Sequence, residues 1–236
     1  MTAACDPPRI VHCDEAIVVV EKPSGMPSVP ARTPLDPPCV AERLAAFFGT
    51  VEAVHRLDRD TSGLLVLARS AEARAALGRA FEHGLVAKRY VAVVRGAPPI
   101  DAGEIHQPLA PDPDRPPRQR VDVVHGRRAV TRWWQRERGL AGTPAEGCSL
   151  LELEPLTGRS HQLRVHLAWL GCPLLGDRLY GPREERGRLA LHAAEISFPH
   201  PIDGRELRCT APALGSPWDW FQFACFTTAS GRAPTG

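Results

Sequence analysis

The sequence predicts an α+β domain built on a mixed, largely antiparallel β-sheet with flanking helices. Short β-branched and apolar runs, typical of strands, outnumber the segments with helical periodicity. The helical segments do not alternate strictly with the strands, as they would in a parallel α/β fold. No internal repeat and no linker divides the 236 residues, so we expect one domain.

The elements follow from local patterns. The β-branched run 16–20, stopped by Pro23 and Gly25, predicts the first strand, and the prolines between 27 and 38 forbid regular structure. A helix over 40–48 ends at Gly49, a strand covers 64–68, and Ser70 caps a second helix that ends at Gly84. We then expect a strand over 90–94, a loop over 97–117 with a short hairpin, strands near 129–134 and 150–153, a helix over 161–170 capped by Ser160, and strands near 191–198 and 206–209.

The outer boundaries and the compartment are also predicted. We expect a flexible tail over 1–9, the single domain over 10–226 and a disordered tail over 227–236. No apolar run is long enough to span a bilayer, and the N-terminus lacks a basic segment followed by an apolar one. The seven cysteines show no metal-type spacing and are read as reduced thiols. The cytoplasm is therefore the expected compartment.

Basic residues are unevenly distributed, although the net charge is only +2. Eight arginines crowd the segment from Arg115 to Arg138. This segment is either a solvated loop with alternating charges or an arm that contacts phosphates. All basic residues except Lys22 and Lys88 are arginines, which suggests that these two lysines have specific uses.

The most informative segment is the polar loop His-Arg-Leu-Asp-Arg-Asp-Thr-Ser-Gly at 55–63, which runs directly into an apolar strand. A loop held at the end of a rigid strand is a common place for chemistry. Asp58 lies between Arg56 and Arg59, which favours its ionised form. Asp60 begins a turn in which its side chain is expected to cap backbone amides. The residues alone leave both carboxylates as candidates.

Two further constellations carry chemistry. The segment 156–166 places Arg159, Arg164, His161 and His166 around an expected helix start, where exposed amides bind phosphate. Its alternatives are a surface salt bridge for Arg164 and structural roles for the two histidines. Tyr90, in a predicted strand, would ordinarily be a core aromatic.

These segments together resemble the RluA-type pseudouridine synthases, which isomerise uridine in structured RNA. Segment 55–63 is similar to their catalytic loop, and Lys22-Pro23-Ser24-Gly25, Lys88-Arg89-Tyr90 and 156–166 match other motifs in the same order. The resemblance extends from about Ile10 to Phe221. It implies a catalytic cleft across the sheet and a reaction that needs no metal and no organic cofactor.

The resemblance also implies roles for individual residues. Asp58 would be the nucleophile, Arg164 its cationic partner, and Tyr90 the aromatic that stacks on the uracil. Arg56 would fill the space left by the flipped base. The remaining implied residues are those that contact the RNA, namely Arg59, Lys88, Arg159 and His161, and those that support the loop, namely His55, Leu57, Thr61, Ser62 and Gly63.

The residues at 111–116 and 158–163 favour the bacterial subgroup that modifies the tRNA anticodon stem-loop and a loop of 23S ribosomal RNA. The resemblance implies a monomer that binds RNA, with no DNA or membrane partner and no S4-type RNA-binding domain. Cys172, Arg59 and a long turn over 139–147 depart from the usual pattern, so the resemblance implies the chemistry more firmly than the choice of substrate.

Two other functions compete with this interpretation. A metal-dependent hydrolase would use Asp58, His55, His161 and His166 as ligands, but these residues lack a compact ligand motif. A non-catalytic RNA-binding module would be expected to lack Asp58, Tyr90 or Arg164, and all three are present.

Overall fold

A ten-stranded mixed sheet forms the centre of the computed structural model, which describes residues 7–30, 37–183 and 186–221. Its main path runs β1-β2-β4-β11-β5-β10-β9-β6, with β12 beside β11 and β3 beside β4. Only β4 and β11 pair in parallel among the described strands. The strands of this sheet are β1 (Arg9–Cys13), β2 (Ile17–Lys22), β3 (Glu52–Ala53), β4 (Ser62–Ala68), β5 (Ala87–Arg95), β6 (Ala102–Ile105), β9 (Thr131–Arg138), β10 (Cys148–Pro155), β11 (Leu191–Pro199) and β12 (Glu206–Thr210). The α+β prediction is confirmed.

Three α-helices flank the sheet: α1 (Val40–Phe48), α2 (Ala71–Glu82) and α3 (Gln162–Trp169). Gly49 ends α1 with a positive φ, as predicted. Ser70 Oγ accepts a hydrogen bond from Ala73 N at 3.1 Å, so the predicted cap of α2 is confirmed. A short 3₁₀ helix, Trp218–Trp220, follows the last strand.

Three details of local structure differ from the expectations. Strand β1, which the sequence did not predict, begins at Arg9, the last residue of the predicted tail, and pairs with β2. The region 97–117 contains β6, which joins the main sheet beside β9, while the hairpin expected there is formed by β7 (Leu109–Pro111) and β8 (Gln119–Val121). Ser160 does not cap α3, because His161 takes the N-cap position with a left-handed backbone and no side-chain cap.

Alternating side chains of the strands build cores on both faces of the sheet. Val18 and Val20 of β2 pack in the cluster that includes α1 residues, whereas Ile17 and Val19 pack with α2 residues. A further cluster joins α3 to β5, β9 and β10. Tyr90 contacts both the α1 and the α3 clusters, and it therefore lies where the two meet.

The predictions about membrane-spanning segments, cysteines and the C-terminal tail can each be compared with the described residues. Within the three described ranges, no helix is long and apolar enough to cross a membrane. Cys13, Cys39, Cys148, Cys172 and Cys209 are free thiols. The predicted C-terminal tail over 227–236 lies outside the described residues.

Gly63 fixes the contact between the two parallel strands beneath the loop 55–61. Its φ of 109° belongs to a region that favours glycine. A Cβ at this position would lie 2.3 Å from the backbone oxygen of Ala193. Backbone atoms in a central strand cannot move away cheaply, so this position requires glycine.

We predict that Gly63→Ala lowers the free energy of unfolding by at least about 3 kcal/mol, because it adds a backbone collision to the cost of a positive φ. Gly84→Ala is the matched control, since Gly84 has a φ of 70° and nothing within 4 Å of its Cβ position. The control should lose only about 1 kcal/mol. Urea unfolding of both variants measures this, and equal losses would contradict the close contact between β4 and β11.

Candidate active site

A cleft of about 460 Å³ opens where the loop before β4, strand β5 and the turn before α3 converge. Its size is within the ordinary range of small-ligand sites. The predicted residues that line it are Asp58, Tyr90, Arg164, Arg56, Lys88 and Arg159. His161, His55, Leu57 and Thr61 also line it. Arg59, Ser62 and Gly63 do not line it.

Backbone and side-chain hydrogen bonds hold the loop 55–61 in one conformation. Leu57 is buried, and Ser28 Oγ both donates to its carbonyl at 2.8 Å and accepts from its amide at 3.0 Å. Thr61 N donates to Asp58 O at 3.1 Å and closes the turn. The backbone on both sides of Asp58 is thereby fixed.

Lys22 joins this loop to the Lys-Pro-Ser-Gly segment. Its side chain is fully buried, and Nζ donates to the carbonyls of Pro23, Met26 and Arg59 at 3.0, 2.8 and 2.9 Å. Burial lowers the pKa of Lys22 to about 7, against the opposing charges of Asp60 and Asp58. The ammonium donors are thus used entirely on backbone carbonyls, which makes Lys22 a structural tie below the site.

A second tie lies at the strand end of the loop. Ser62 Oγ is hydrogen-bonded to His192 Nδ1 at 2.9 Å and accepts from Arg188 Nη2 at 3.0 Å. His192 Nε2 is bonded to Ala211 O at 3.1 Å. Ser62 therefore supports the loop, as predicted for its position, through buried contacts to β11.

An alternating chain of charges, Asp58–Arg164–Asp177, forms the floor of the cleft. Arg164 donates from Nε and Nη2 to the two oxygens of Asp177, at 2.8 Å each, and from Nη1 to Asp58 Oδ2 at 3.3 Å. The side chains of Arg164 and Asp177 are 6% and 0% exposed, whereas that of Asp58 is 25% exposed. Asp58 is therefore the one member of the chain that meets solvent in the cleft.

Electrostatics keeps the two buried members of this chain, Arg164 and Asp177, ionised. Burial alone would raise the pKa of Asp177, but Arg164 and the amides of Leu179 and Tyr180 hold it below its usual range. Burial would likewise lower the pKa of Arg164, but Asp177 and Asp58 raise it above its ordinary value. Arg164 consequently stays a fixed cation next to Asp58.

One expectation for the charges around Asp58 agrees with the structure, and another does not. Arg164, which the resemblance implied as the cationic partner, donates to Asp58 Oδ2 at 3.3 Å, and Arg59 Nε donates to Gly25 O at 3.1 Å. Asp60 does not cap local amides with its carboxylate. Its backbone carbonyl instead accepts a hydrogen bond from Ser24 Oγ at 2.7 Å, and its side chain is exposed.

Tyr90 faces Asp58 from strand β5. Burial first, and the charge of Asp58 second, raise the pKa of Tyr90 well above its ordinary value. The hydroxyl of Tyr90 is therefore protonated in the free enzyme at neutral pH. His55, another wall residue, is neutral as well, since burial and the charge of Lys88 lower its pKa to about 3 and its Nε2 accepts from Val66 N at 3.0 Å.

His161 has a left-handed backbone conformation, with φ of 53°, at the start of α3. Tyr180 Oη is bonded to His161 Nδ1 at 2.7 Å and accepts from Gln119 N at 2.7 Å. The Tyr180 ring also faces the guanidinium of Arg164 at 5.2 Å. Tyr180 thus connects the β7–β8 hairpin to the floor of the cleft, and burial lowers the pKa of His161.

The basic segment 115–138 contains strands β8 and β9 and the loop between them. Acidic residues pair with most of its arginines: Arg115 with Asp112, Arg120 with Asp122, Arg132 with Glu104, Arg136 with Glu152, and Arg138 with Asp101. Arg118 lies over the Tyr180 ring at 5.2 Å. Arg128 is exposed, and its backbone carbonyl accepts a hydrogen bond from Arg159 Nε at 3.0 Å.

The four residues considered as metal ligands do not converge. His166 is bonded to Thr131 Oγ1 and Gln107 O, both at 2.9 Å, which fits the structural role considered for it. Among residues 7–30, 37–183 and 186–221, no group of three or more His, Cys, Asp or Glu side chains is arranged to hold a metal ion.

The sequence did not reveal the importance of three residues. Asp177, Tyr180 and Ser28 make the closest contacts to Arg164, His161 and Leu57, yet each lies far along the chain from the 55–63 loop. Asp177 and Tyr180 stand in a Gly-Asp-x-x-Tyr-Gly segment at 176–181, whose closely spaced polar residues were the available signal.

Comparison with known proteins gives this arrangement a family. A family model described as RNA pseudouridylate synthase matches residues 16–169. A protein of Haemophilus influenzae called dual-specificity RNA pseudouridine synthase RluA is 40% identical over 205 residues, which cover 86% of this chain and 91% of that protein. The protein of the same name from Escherichia coli K12 is 40% identical over 207 residues, with coverages of 86% and 92%.

Solved structures agree. Human RNA pseudouridylate synthase domain containing 1 superposes with a TM-score of 0.74 at 28% identity, covering 89% of this chain and 86% of that one. Human RNA pseudouridylate synthase domain containing 4 gives a TM-score of 0.70 at 25% identity, covering 90% of each chain. The chain therefore belongs to the RNA pseudouridylate synthase family, and it is an RNA pseudouridine synthase of the RluA type.

Proposed function

We propose that Asp58 is the catalytic carboxylate and that a flipped uridine occupies the cleft above it, between Tyr90 and the turn before α3. The observation that carries this proposal is the Asp58–Arg164 contact at the floor of the cleft, at 3.3 Å, with Asp58 the exposed end of an otherwise buried chain of charges. An ionised carboxylate held by a fixed cation is what glycosidic chemistry requires.

The reaction conserves all atoms of the nucleoside. In the route through the ribose, Asp58 attacks C1′ as the bond between C1′ and uracil N1 breaks, the base turns within the cleft, and C5 bonds to C1′ while the bond between Asp58 and C1′ breaks. C5 then loses its proton, and N1 gains one. Attack at C1′ and attack at the uracil ring use the same residues.

Tyr90 has two parts in this proposal. Its ring stacks on the uracil, and its hydroxyl receives the C5 proton while it gives its own proton to Asp58. Both side chains line the cleft, and the charge of Asp58 acts on Tyr90, which supports a proton transfer between them.

Recognition rests on charges around the opening. Arg56 is exposed on the cleft wall and makes no hydrogen bond or ion pair within the described ranges, which suits a side chain that fills the gap left by a flipped base. Arg59, Lys88, Arg159 and His161 complete the RNA-contacting set, with Arg59 adding charge beside the cleft rather than inside it.

The substrates follow from the relatives. Their printed name, dual-specificity RNA pseudouridine synthase, supports action on more than one RNA. We propose the tRNA anticodon stem-loop and a loop of 23S ribosomal RNA, modified in the cytoplasm by a monomer that binds neither DNA nor membrane. Readout by RNA shape suits a protein of this size.

Tritium release from RNA carrying C5-tritiated uridine tests the function directly. We expect the wild-type protein to release tritium from tRNA and from 23S RNA. Asp58→Asn should lose at least about 10⁴-fold in rate, because the amide is neither a nucleophile nor an anion for Arg164. RNA affinity, measured by filter binding, should change less than about threefold.

Asp60→Asn is the matched control. It removes one negative charge, as Asp58→Asn does, but from an exposed side chain two residues further along the loop. It should keep wild-type activity within about threefold. A dead Asp60→Asn beside an active Asp58→Asn would assign the chemistry to the other carboxylate. No release from either RNA, with binding intact, would favour a non-catalytic RNA-binding protein.

Asp177→Asn tests the support of Arg164. Breaking a buried ion pair should lower the free energy of unfolding by about 3 kcal/mol at pH 7 and slow turnover at least tenfold. RNA affinity should stay within about threefold, because Asp177 is fully buried below the cleft. Unchanged turnover in a folded variant would contradict the role of Asp177 in fixing Arg164.

The stability effect of Asp177→Asn also has a defined pH dependence. The folded state holds the pKa of Asp177 below its unfolded value, so its contribution is complete above about pH 4. The contribution is lost as the pH falls through the folded pKa. The difference in unfolding free energy between wild type and variant should therefore shrink from pH 5 to pH 3 in urea titrations, and a constant difference would argue against an ionised Asp177.

A further inference from the structure

We propose that Lys88 binds a phosphate of the RNA substrate, at a subsite within the cleft that is separate from the Asp58–Arg164–Asp177 chain. This inference rests on the proposed function in one respect, because it assumes that a uridine enters this cleft.

The position of Lys88 follows from the pleat of β5. Lys88 and Tyr90 are two residues apart on this strand and both line the cleft, whereas Arg89 between them contacts Glu152. A Cβ built on Gly158 would lie 4.0 Å from Lys88 Nζ, with no other heavy atom nearer. The ammonium of Lys88 therefore reaches across the cleft toward the turn before α3.

The charge of Lys88 is not neutralised by the protein. In the described part of the chain, its side chain makes no hydrogen bond and no ion pair. Lys22, by contrast, uses its ammonium on three carbonyls. Asp58 and Asp177 both pair with Arg164. Lys88 is thus the lysine that is left with its donors available.

Because Lys88 is partly buried, its unpaired ammonium is incompletely solvated, and a bound anion would stabilise it. Burial lowers the pKa of Lys88, and the charge of Lys88 helps to lower that of the neighbouring His55. A partly desolvated cation gains more from a full negative charge than from a neutral carbonyl. A ligand that brings an anion into the cleft would remove this cost.

Phosphate is the anion that the substrate supplies. Uracil is neutral, but a flipped uridine brings the phosphates on its two sides with it. Lysine binds phosphate as a point charge and needs no planar geometry. Gly158 leaves space beside the ammonium, because its missing side chain would otherwise occupy the opening next to Nζ.

The test combines a side-chain change with a phosphate change. Binding of an anticodon stem-loop to wild type and Lys88→Met is measured over a range of salt concentrations. The same RNA is then prepared with a neutral methylphosphonate at the phosphate before, or after, the target uridine. Lys88→Met should weaken binding about tenfold and reduce the salt slope by about one phosphate contact.

One of the two methylphosphonates should weaken binding by the wild type and leave binding by Lys88→Met unchanged. Lys88→Arg should recover most of the affinity, because it restores the charge. Arg89→Gln is the control of equal charge loss on the neighbouring residue, and it should keep the wild-type salt slope. Circular dichroism melting shows that each variant is folded.

Additive losses from Lys88→Met and from both methylphosphonates would overturn the subsite. Insensitivity of the wild type to both methylphosphonates would overturn it as well, whatever the state of the variants. The tritium assay keeps the two proposals apart: a wild type that binds through Lys88 but releases no tritium contradicts the proposed function and leaves the phosphate subsite standing.

Discussion

The site depends on one interaction, the buried pair between Arg164 and Asp177. A guanidinium that is 6% exposed is costly to bury unless its donors are used, and two of its nitrogens bind the two oxygens of Asp177. The third nitrogen of the guanidinium, Nη1, donates to Asp58. Because Asp177 is also fixed by the amides of Leu179 and Tyr180, the direction of Arg164 is set before any substrate arrives.

The remaining structure fixes Asp58 against that cation from the other side. Lys22 and Ser28 hold the backbone around the loop, and Ser62 holds its far end through His192. These ties use backbone carbonyls and buried hydroxyls rather than charges exposed to solvent. Asp58 is thereby the exposed end of a rigid arrangement, which is the preorganisation that its proposed catalytic role requires.

The two lysines show how one residue type serves two purposes. Lys22 is fully buried and saturated by carbonyls, so its charge is part of the scaffold. Lys88 is partly buried in the cleft and has no partner in the described ranges, so its charge is available to a ligand. The difference lies in the acceptors that the fold brings to each ammonium, and the sequence motifs around them do not show it.

The sequence by itself determined the elements whose signals are local. The β-branched run of β2, the Ser70 cap and the glycine stop of α1 depend on neighbouring residues, and the structure has all three. The loop at 55–63 also has a local signal, since its polar composition predicted a site and residues 55–58 and Thr61 line the cleft. Local rules failed at Ser160, because α3 begins after His161, whose left-handed backbone takes the N-cap position without a side-chain cap.

Only the tertiary structure decided which charges meet. Arg164 lies 106 positions from Asp58 in the sequence and displaced the adjacent arginines as its partner, since contacts across a sheet are set by strand order rather than by distance along the chain. Asp177 entered the site for the same reason. Arg132, Arg136 and Arg138 met acids on neighbouring strands or loops, which a count of charges along the chain could not show.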